Sequence, residues 1–441
     1  MNQTWLRRCL AILTVALLIP ASACNSTPSQ PRSTTRQSSA AATTQSTAAS
    51  ATSQTPAQTP TVTGEDLEGT VRALGTVFKP CNSTRNAFDA AKVFDPQTGR
   101  MVVAPTPPPL PPGTELAFGR GNPAYFCTLT GTPTDLKIFY VWTYRTPSHG
   151  LEPERFTLMA GVGGINDKSI TKVAELPAEL GGSPSKVYST AGGPVLSYCC
   201  RTSGVSTAAI DPETLTVRWT SPHNLASVEE STVAFHDVSK SIVTIRDVAS
   251  GAEVVLDHAD PAGPKPLNYE LDSGYVIRQT KDEVNLGDFT WGYYSVIAHK
   301  FYPNLITAGT LIDPIINEGK LLIRSTKNLK ILDIANGTVL FEMSPDEMRA
   351  VNSYQFGTSG DYLYIGNQSD SPVIDIRDRK QVSSGWKVRP LDFFGKSWVL
   401  VDHRAKTAAN CYEGPNVFTC GGTKDVVIQR IDNGVYPGPW Y

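Results

Sequence analysis

The sequence is poor in the signals that announce chemistry. It contains no G-x-S-x-G elbow and no phosphate-binding P-loop, so the usual hydrolase and nucleotide signatures are missing. Its six histidines, His149, His223, His236, His258, His299 and His403, are scattered and make no H-E-x-x-H or H-x-H pair, which leaves no zinc-ligand spacing. Charge of one sign is also lacking: 39 Lys plus Arg stand against 41 Asp plus Glu, and a net charge of -2 exerts no long-range pull on nucleic acid. No apolar run reaches the roughly 20 residues of a membrane-spanning helix. Helical periodicity is nearly absent along the chain.

The start of the chain is a secretory signal. Arg7 and Arg8 precede an apolar stretch from Leu10 to Ile19, followed by Pro20 and the small residues Ala21, Ser22 and Ala23. Two processing chemistries fit this site, because Ala21-Ser22-Ala23 is an A-x-A cleavage site and also lies directly before Cys24. Cysteine arithmetic favours lipidation. Of eight cysteines, Cys9 leaves with the signal, and if Cys24 carries lipid an even six remain: Cys81, Cys127, Cys199, Cys200, Cys411 and Cys420. Two or more acyl chains hold a protein stably on a bilayer. The domain plan is a signal peptide over 1–23, a lipidated Cys24 with a tether over 24–63, and a folded body over 64–441.

Residues 25 to 63 contain no aromatic, no Leu, no Ile and no acidic residue, so they cannot bury enough surface to offset ordering. They are expected to be disordered. As a coil these 39 residues span roughly 35 Å, and up to about 130 Å when stretched.

The body reads as all-β. Segments such as KLLIRS, LKILDI, DYLYIG, SIVTIR and LKIFYVWTY are rich in Val, Ile, Tyr and Phe and are separated by Gly, Asn, Asp or Ser turns, the pattern of antiparallel hairpins. Only SPDEMRAV reads as a short helix, with Ser344 as its N-cap. The strands repeat: Asp333 and Asp375 mark equivalent points 42 residues apart, and Asp211 and Asp247 mark points 36 apart. A four-stranded unit of about 40 residues is the signature of a propeller blade. Each marking aspartate, including Asp95, closes a third strand and accepts backbone N–H groups across the turn, and a glycine four residues on (Gly99, Gly251, Gly337) supplies positive φ. With Asp432 and degenerate markers near Asn166 and Tyr293, the count predicts seven or eight blades. The segment GTVRALGTVF (69–78) is expected to pair with the last blade and close the ring.

Asp-x-x-Thr-Gly-x-x-x-Trp at a blade's end resembles the repeat of the quinoprotein-like (PQQ-like) β-propellers. Partial copies run from Asp95 to Val103, Asp211 to Trp219 and Asp333 to Phe341. The anchor and its Ser/Thr-rich tether are similar to those of actinobacterial cell-envelope lipoproteins. The propeller resemblance gives Cys199-Cys200 a meaning: in quinoprotein alcohol dehydrogenases a disulfide between adjacent cysteines lies against the quinone, which implies PQQ with Ca²⁺ in the funnel. The plainer reading pairs these cysteines with others to staple loops. Six cysteines allow 15 pairings, of which Cys411 with Cys420, nine positions apart, is the simplest.

Other motifs have structural readings. AGVGGIND (160–167) is expected to bend a strand, the proline-rich VVAPTPPPLPPGTE (102–115) to form a stiff blade corner, and the aromatics of FTWGYYSV (289–296) to pack between blades. No catalytic or metal-ligating residue is assigned, and no cofactor beyond the quinone alternative. The expected role is that of a monomeric, lipid-anchored extracytoplasmic binding or scaffold module for a protein or envelope polymer, without affinity for nucleic acid. The alternatives are a PQQ-dependent dehydrogenase and a glycan-acting propeller hydrolase or lyase.

Overall fold

In the computed structural model the described residues are 62–431, apart from 82, 85–86, 118–124, 181–182, 199–203, 230, 238, 241, 257–258, 267–273, 281–288, 308–310, 318, 326–327, 352–354, 367–371, 387–388, 403–410, 415–416 and 421–425. They form eight blades in a propeller ring. Blades 1 to 8 run over 71–103, 125–175, 186–221, 225–256, 259–307, 311–343, 355–383 and 389–430. Each is an antiparallel meander whose first strand is innermost, with the first strands of neighbouring blades meeting around the axis. Among the described residues no helix is long and apolar enough to cross a membrane.

The sequence pattern follows from this layering. A middle strand is covered on both faces by neighbouring blades, so it reads as a continuous apolar run: Leu321, Leu322 and Ile323 are all buried. Leu321 and Ile323 pack with Tyr293 and Val276 of blade 5, while Leu322 faces Leu363 and Ile365 of blade 7. The core is therefore a circle of inter-blade layers. Trp291, Tyr293 and Tyr294 are buried in these layers, as blade-packing aromatics.

Every described marking aspartate ends or follows a third strand. Asp95 Oδ1 accepts from Gln97 N–H at 2.9 Å, Asp247 Oδ1 from Ser250 N–H at 2.6 Å, Asp333 Oδ1 from Ala335 N–H at 2.8 Å, and Asp375 Oδ1 from Arg377 N–H at 2.8 Å. Asp211 Oδ1 accepts from Glu213 N–H at 2.7 Å, and its Oδ2 accepts from Arg218 at 3.0 Å. Burial works against the Asp211 carboxylate, yet the Thr214 N–H and the Arg218 guanidinium outweigh it and hold its pKa below the ordinary range.

The fourth residue after each aspartate has positive φ: 69° at Gly99, 75° at Gly251 and 71° at Gly337. Leu215 and Arg379 hold the same conformation at 57° and 55° without being glycine, at a cost of about 1–2 kcal/mol each. Burial offsets it for Leu215, which is 2% exposed. Arg379 instead donates to the Glu342 carbonyl at 2.7 Å and lies over the Phe341 ring.

Ring closure differs from the sequence expectation. Val71–Ala73 and Thr76–Lys79, the strands within 69–78, pair with each other as the first two strands of blade 1. Blade 8 has three strands of its own, Arg389–Phe394, Trp398–Asp402 and Val426–Arg430, and its outer edge is met by Val62, whose carbonyl accepts from Ile428 N–H at 3.1 Å. The segment 69–78 is not one strand but two: Leu74 and Gly75, both at positive φ, turn the chain back on itself, so the two halves pair with each other. Blade 5 also departs slightly: its turn follows Ser295, whose hydroxyl accepts from Ala298 N–H at 3.1 Å, two residues beyond the aromatic marker read at Tyr293.

Of two smaller expectations, the strand bend is overturned and the helix capped by Ser344 is present. The glycines of 160–167 do not bend the strand Arg155–Gly164, whose register with the second strand is unbroken; a Cβ at Gly161 would stand 3.2 Å from Ile170 and 3.3 Å from Trp142, so they clear a tight packing layer. The helix is Pro345–Val351, capped reciprocally by Ser344 N–H donating to Glu347 Oε2 at 2.7 Å and Glu347 N–H donating to Ser344 Oγ at 3.3 Å.

Candidate functional site: one face of the ring

An antiparallel meander places successive connections at alternate ends of its strands. All eight blades run in the same sense, so connections from first to second and from third to fourth strand share one face of the ring. Connections from second to third strand, and those between blades, share the other. The first face carries turns such as 74–75, 133–134 and 360–361 between first and second strands, the aspartate turns 96–99, 211–216, 248–252, 334–338 and 376–379, and the somewhat longer 165–171 and 189–194. The second face carries 80–91, 104–124, 147–154, 176–185, 344–354 and 403–425. We call these the turn face and the loop face.

The loop face is built up over blades 1 and 2. After the second strand of blade 1 the chain makes a small hairpin, Ser83–Thr84 with Ala87–Phe88, and a disulfide joins Cys81 to Cys127 in the first strand of blade 2, with Cα atoms 5.8 Å apart. Phe88 packs edge-on against Tyr125 and Trp142 at 5.1 and 5.6 Å. Beneath it the Tyr125 hydroxyl accepts from Asp89 N–H at 2.5 Å and the Tyr140 hydroxyl from Ala91 N–H at 3.5 Å. Burial pushes the Tyr140 phenol up to about 12 and raises that of Tyr125.

Beside this staple a long hairpin rises from blade 2. Its strands, Asp135–Thr146 and Arg155–Gly164, continue four residues beyond Trp142, the partner of Tyr125 at the start of the first strand. That overhang amounts to about 13 Å. The proline-rich corner leads into Glu115–Leu116, which pairs with Arg145 and Tyr144 and braces the overhang. Its flanks carry ion pairs from Arg145 to Glu115 and Glu154 and from Arg155 to Glu175. These are solvent-exposed and add little stability. Leu151 at the tip is fully exposed and Phe156 is 56% exposed.

The residues read from the sequence separate cleanly. Asp95, Asp211, Asp247, Asp333 and Asp375 all lie on the turn face and are turn builders. Cys24, Cys199, Cys200 and Asp432 lie outside the described residues, although the strands flanking Cys199-Cys200, Val195–Ser197 and Thr207–Ile210, end and begin at the loop face. Cys411 and Cys420 stand opposite each other in a hairpin, Cys411–Gly414 with Val417–Cys420, that also belongs to the loop face. Among the described residues no group of three His, Cys, Asp or Glu side chains is placed to hold a metal ion.

Sequence reading missed the sorting of loops by face. The signal was present: once an aspartate marks a third-to-fourth turn, every second connection counted from it lies at the opposite end. Leu151 and Phe156 become visible as a pair only through that count.

No protein-family profile matches the chain, and no curated protein does. Among solved structures it is similar to a dihydro-heme d1 dehydrogenase, NirN, in complex with DHE, with 10% identity and a TM-score of 0.32, over 75% of this chain and 80% of that one. It is similar to Kuenenia stuttgartiensis hydrazine synthase, with 12% identity and a TM-score of 0.32, over 71% and 95%. Citrobacter koseri AztD is similar with 11% identity and a TM-score of 0.29, over 70% and 94%.

Proposed function

We propose that the chain is a lipid-anchored extracytoplasmic propeller that binds a protein or an envelope polymer through its loop face. The observation that carries this reading is the asymmetry of the ring. The connections of the turn face run to seven residues at most, as at 165–171, whereas the loop face also carries 104–124 and 403–425. The loop face bears a disulfide staple, a stiff proline corner and a hairpin lifting Leu151 and Phe156 into solvent. Rigid scaffold with elaborated loops at one end is how binding surfaces are built. The anchor rests on the sequence around Cys24 and on the tether that follows it.

Two measurements test the reading. Mass spectrometry of the protein from its native host should find an N-terminal peptide starting at Cys24 and carrying diacylglycerol; an unmodified Cys24 removes the anchor. Co-sedimentation of the full chain with isolated cell envelope should be lost in a Leu151→Ser, Phe156→Ser double variant that keeps its melting temperature. Retention unchanged by that variant would remove this hairpin from the binding surface.

A further inference from the structure

We infer that Cys411 and Cys420 are joined by a disulfide, and that the cross-links of this protein serve the loop face and not the ring. The hairpin register pairs Gly414 with Val417, Glu413 with Phe418, Tyr412 with Thr419 and Cys411 with Cys420. Two residues separate the strands, so the Gly414–Val417 pair carries the turn's own hydrogen bond. Pairs then alternate in type along an antiparallel ladder, and the third pair outward from the closing one is non-hydrogen-bonded. There the Cα atoms stand about 4.5 Å apart, inside the roughly 4.4–6.8 Å that a disulfide requires.

The Cys81–Cys127 bridge supplies the second observation, because a chain that forms one loop-closing disulfide folds where thiols are oxidised. With that pair made, four cysteines remain in the body, and three pairings are open. The register selects the one that joins Cys411 to Cys420 and leaves the adjacent Cys199-Cys200 to each other. Among the described residues both bridges are then local to the loop face of three consecutive blades, 8, 1 and 2. An isolated two-stranded hairpin is marginal in water, so the Cys411–Cys420 link is what fixes this one in shape, beside the first strand of blade 1.

The ring closes by other means. Arg72 and Asp392 pair at 3.4 Å between the innermost strands of blades 1 and 8, Phe94 packs on Phe394 and Trp398, and Val62 covers the outer edge. Reduction should therefore loosen the face while the blades stay assembled. This inference stands apart from the binding reading, since no step of it needs a partner.

The test is a peptide map of the full chain, alkylated and digested without reduction. Cys411 and Cys420 are expected in one cross-linked peptide; alkylated Cys411 or Cys420, or either one linked to Cys199 or Cys200, overturns the inference. A Cys411→Ser, Cys420→Ser variant then tests the role. Limited proteolysis within 403–425 should be about tenfold faster or more, as loss of a short-loop cross-link raises local opening, while cleavage elsewhere is unchanged. An unchanged rate within 403–425, or general unfolding, would show that the link does not have this local role.

Discussion

The indole Nε1 of Trp398 in blade 8 donates to the carbonyl oxygen of Pro96 in blade 1 at 2.8 Å, joining residues 302 positions apart. The same ring lies over Gly99, where a Cβ would overlap it. A ring of blades fails at its seam, and here one side chain supplies both the packing and the polar bond across that seam. Trp398→Ala should cost about 3–5 kcal/mol. Trp398→Phe should cost less, about 1 kcal/mol for the hydrogen bond plus the smaller ring. Chemical denaturation followed by tryptophan-independent circular dichroism would measure both, and a negligible loss in the alanine variant would contradict this role.

Val62 is the other half of closure. It is buried and its carbonyl holds Ile428 N–H. A chain beginning at Thr61 should melt like the longer protein, whereas one beginning at Gly64 should lose about 2 kcal/mol or more from lost apolar burial and the hydrogen bond. Equal melting temperatures would place closure elsewhere.

Three of the aspartate turns, those of Asp95, Asp247 and Asp333, are covered by an aromatic from the preceding blade. Trp219 Nε1 donates to the Val248 carbonyl at 3.0 Å beside Gly251, and the Tyr302 ring lies against Gly337. Gly337→Ala meets both a left-handed backbone, φ 71°, and that ring, so a loss above about 2 kcal/mol is expected. Gly113→Ala is the control, with φ 76° and nothing within 4 Å of the new Cβ; it should cost about 1 kcal/mol. Equal losses in the two would mean the aromatic lid contributes nothing.

Acid and base should act on different groups. The Ser239 hydroxyl and Lys240 hold Asp237 at about 2, and Asp211 is lowered as well. A depressed folded-state pKa gives stability that is present above the unfolded value, about 4, and is lost as pH falls through the folded one. Asp237→Asn should flatten the melting temperature's dependence on pH between about 4 and 2. At the other end, Tyr140 is raised to about 12 by burial, so its contribution is whole below pH of about 10 and declines as pH climbs toward about 12. A tyrosinate absorbance titration should show a late-titrating fraction that Tyr140→Phe reduces; its persistence unchanged would contradict the burial.

Much of this architecture was legible before any coordinates. The aspartate with a positive-φ residue four positions later is a local device, complete within five residues, so a linear reading finds it at Asp95, Asp247 and Asp333 and tolerates Leu215 in place of glycine. Closure was not legible, because Val62 is a single valine in a polar tract whose partner lies 366 positions away at Ile428. The loop face lay between these cases: its staple depends on Cys81 and Cys127 being brought together by neighbouring blades, which cysteine counting alone leaves among many pairings.

The dehydrogenase alternative turns on Cys199-Cys200. If it held, added PQQ with Ca²⁺ would raise the melting temperature, as ligand linkage requires; the binding reading expects no shift at saturating quinone.

The account as a whole rests on one face doing the binding. Hydrogen exchange of the full chain, with and without isolated cell envelope, tests this most directly. Protection gathered on 104–117, 143–158 and 176–180 with the turns at 96–99, 248–252, 334–338 and 376–379 unaffected is the predicted result. Protection confined to those aspartate turns would contradict it.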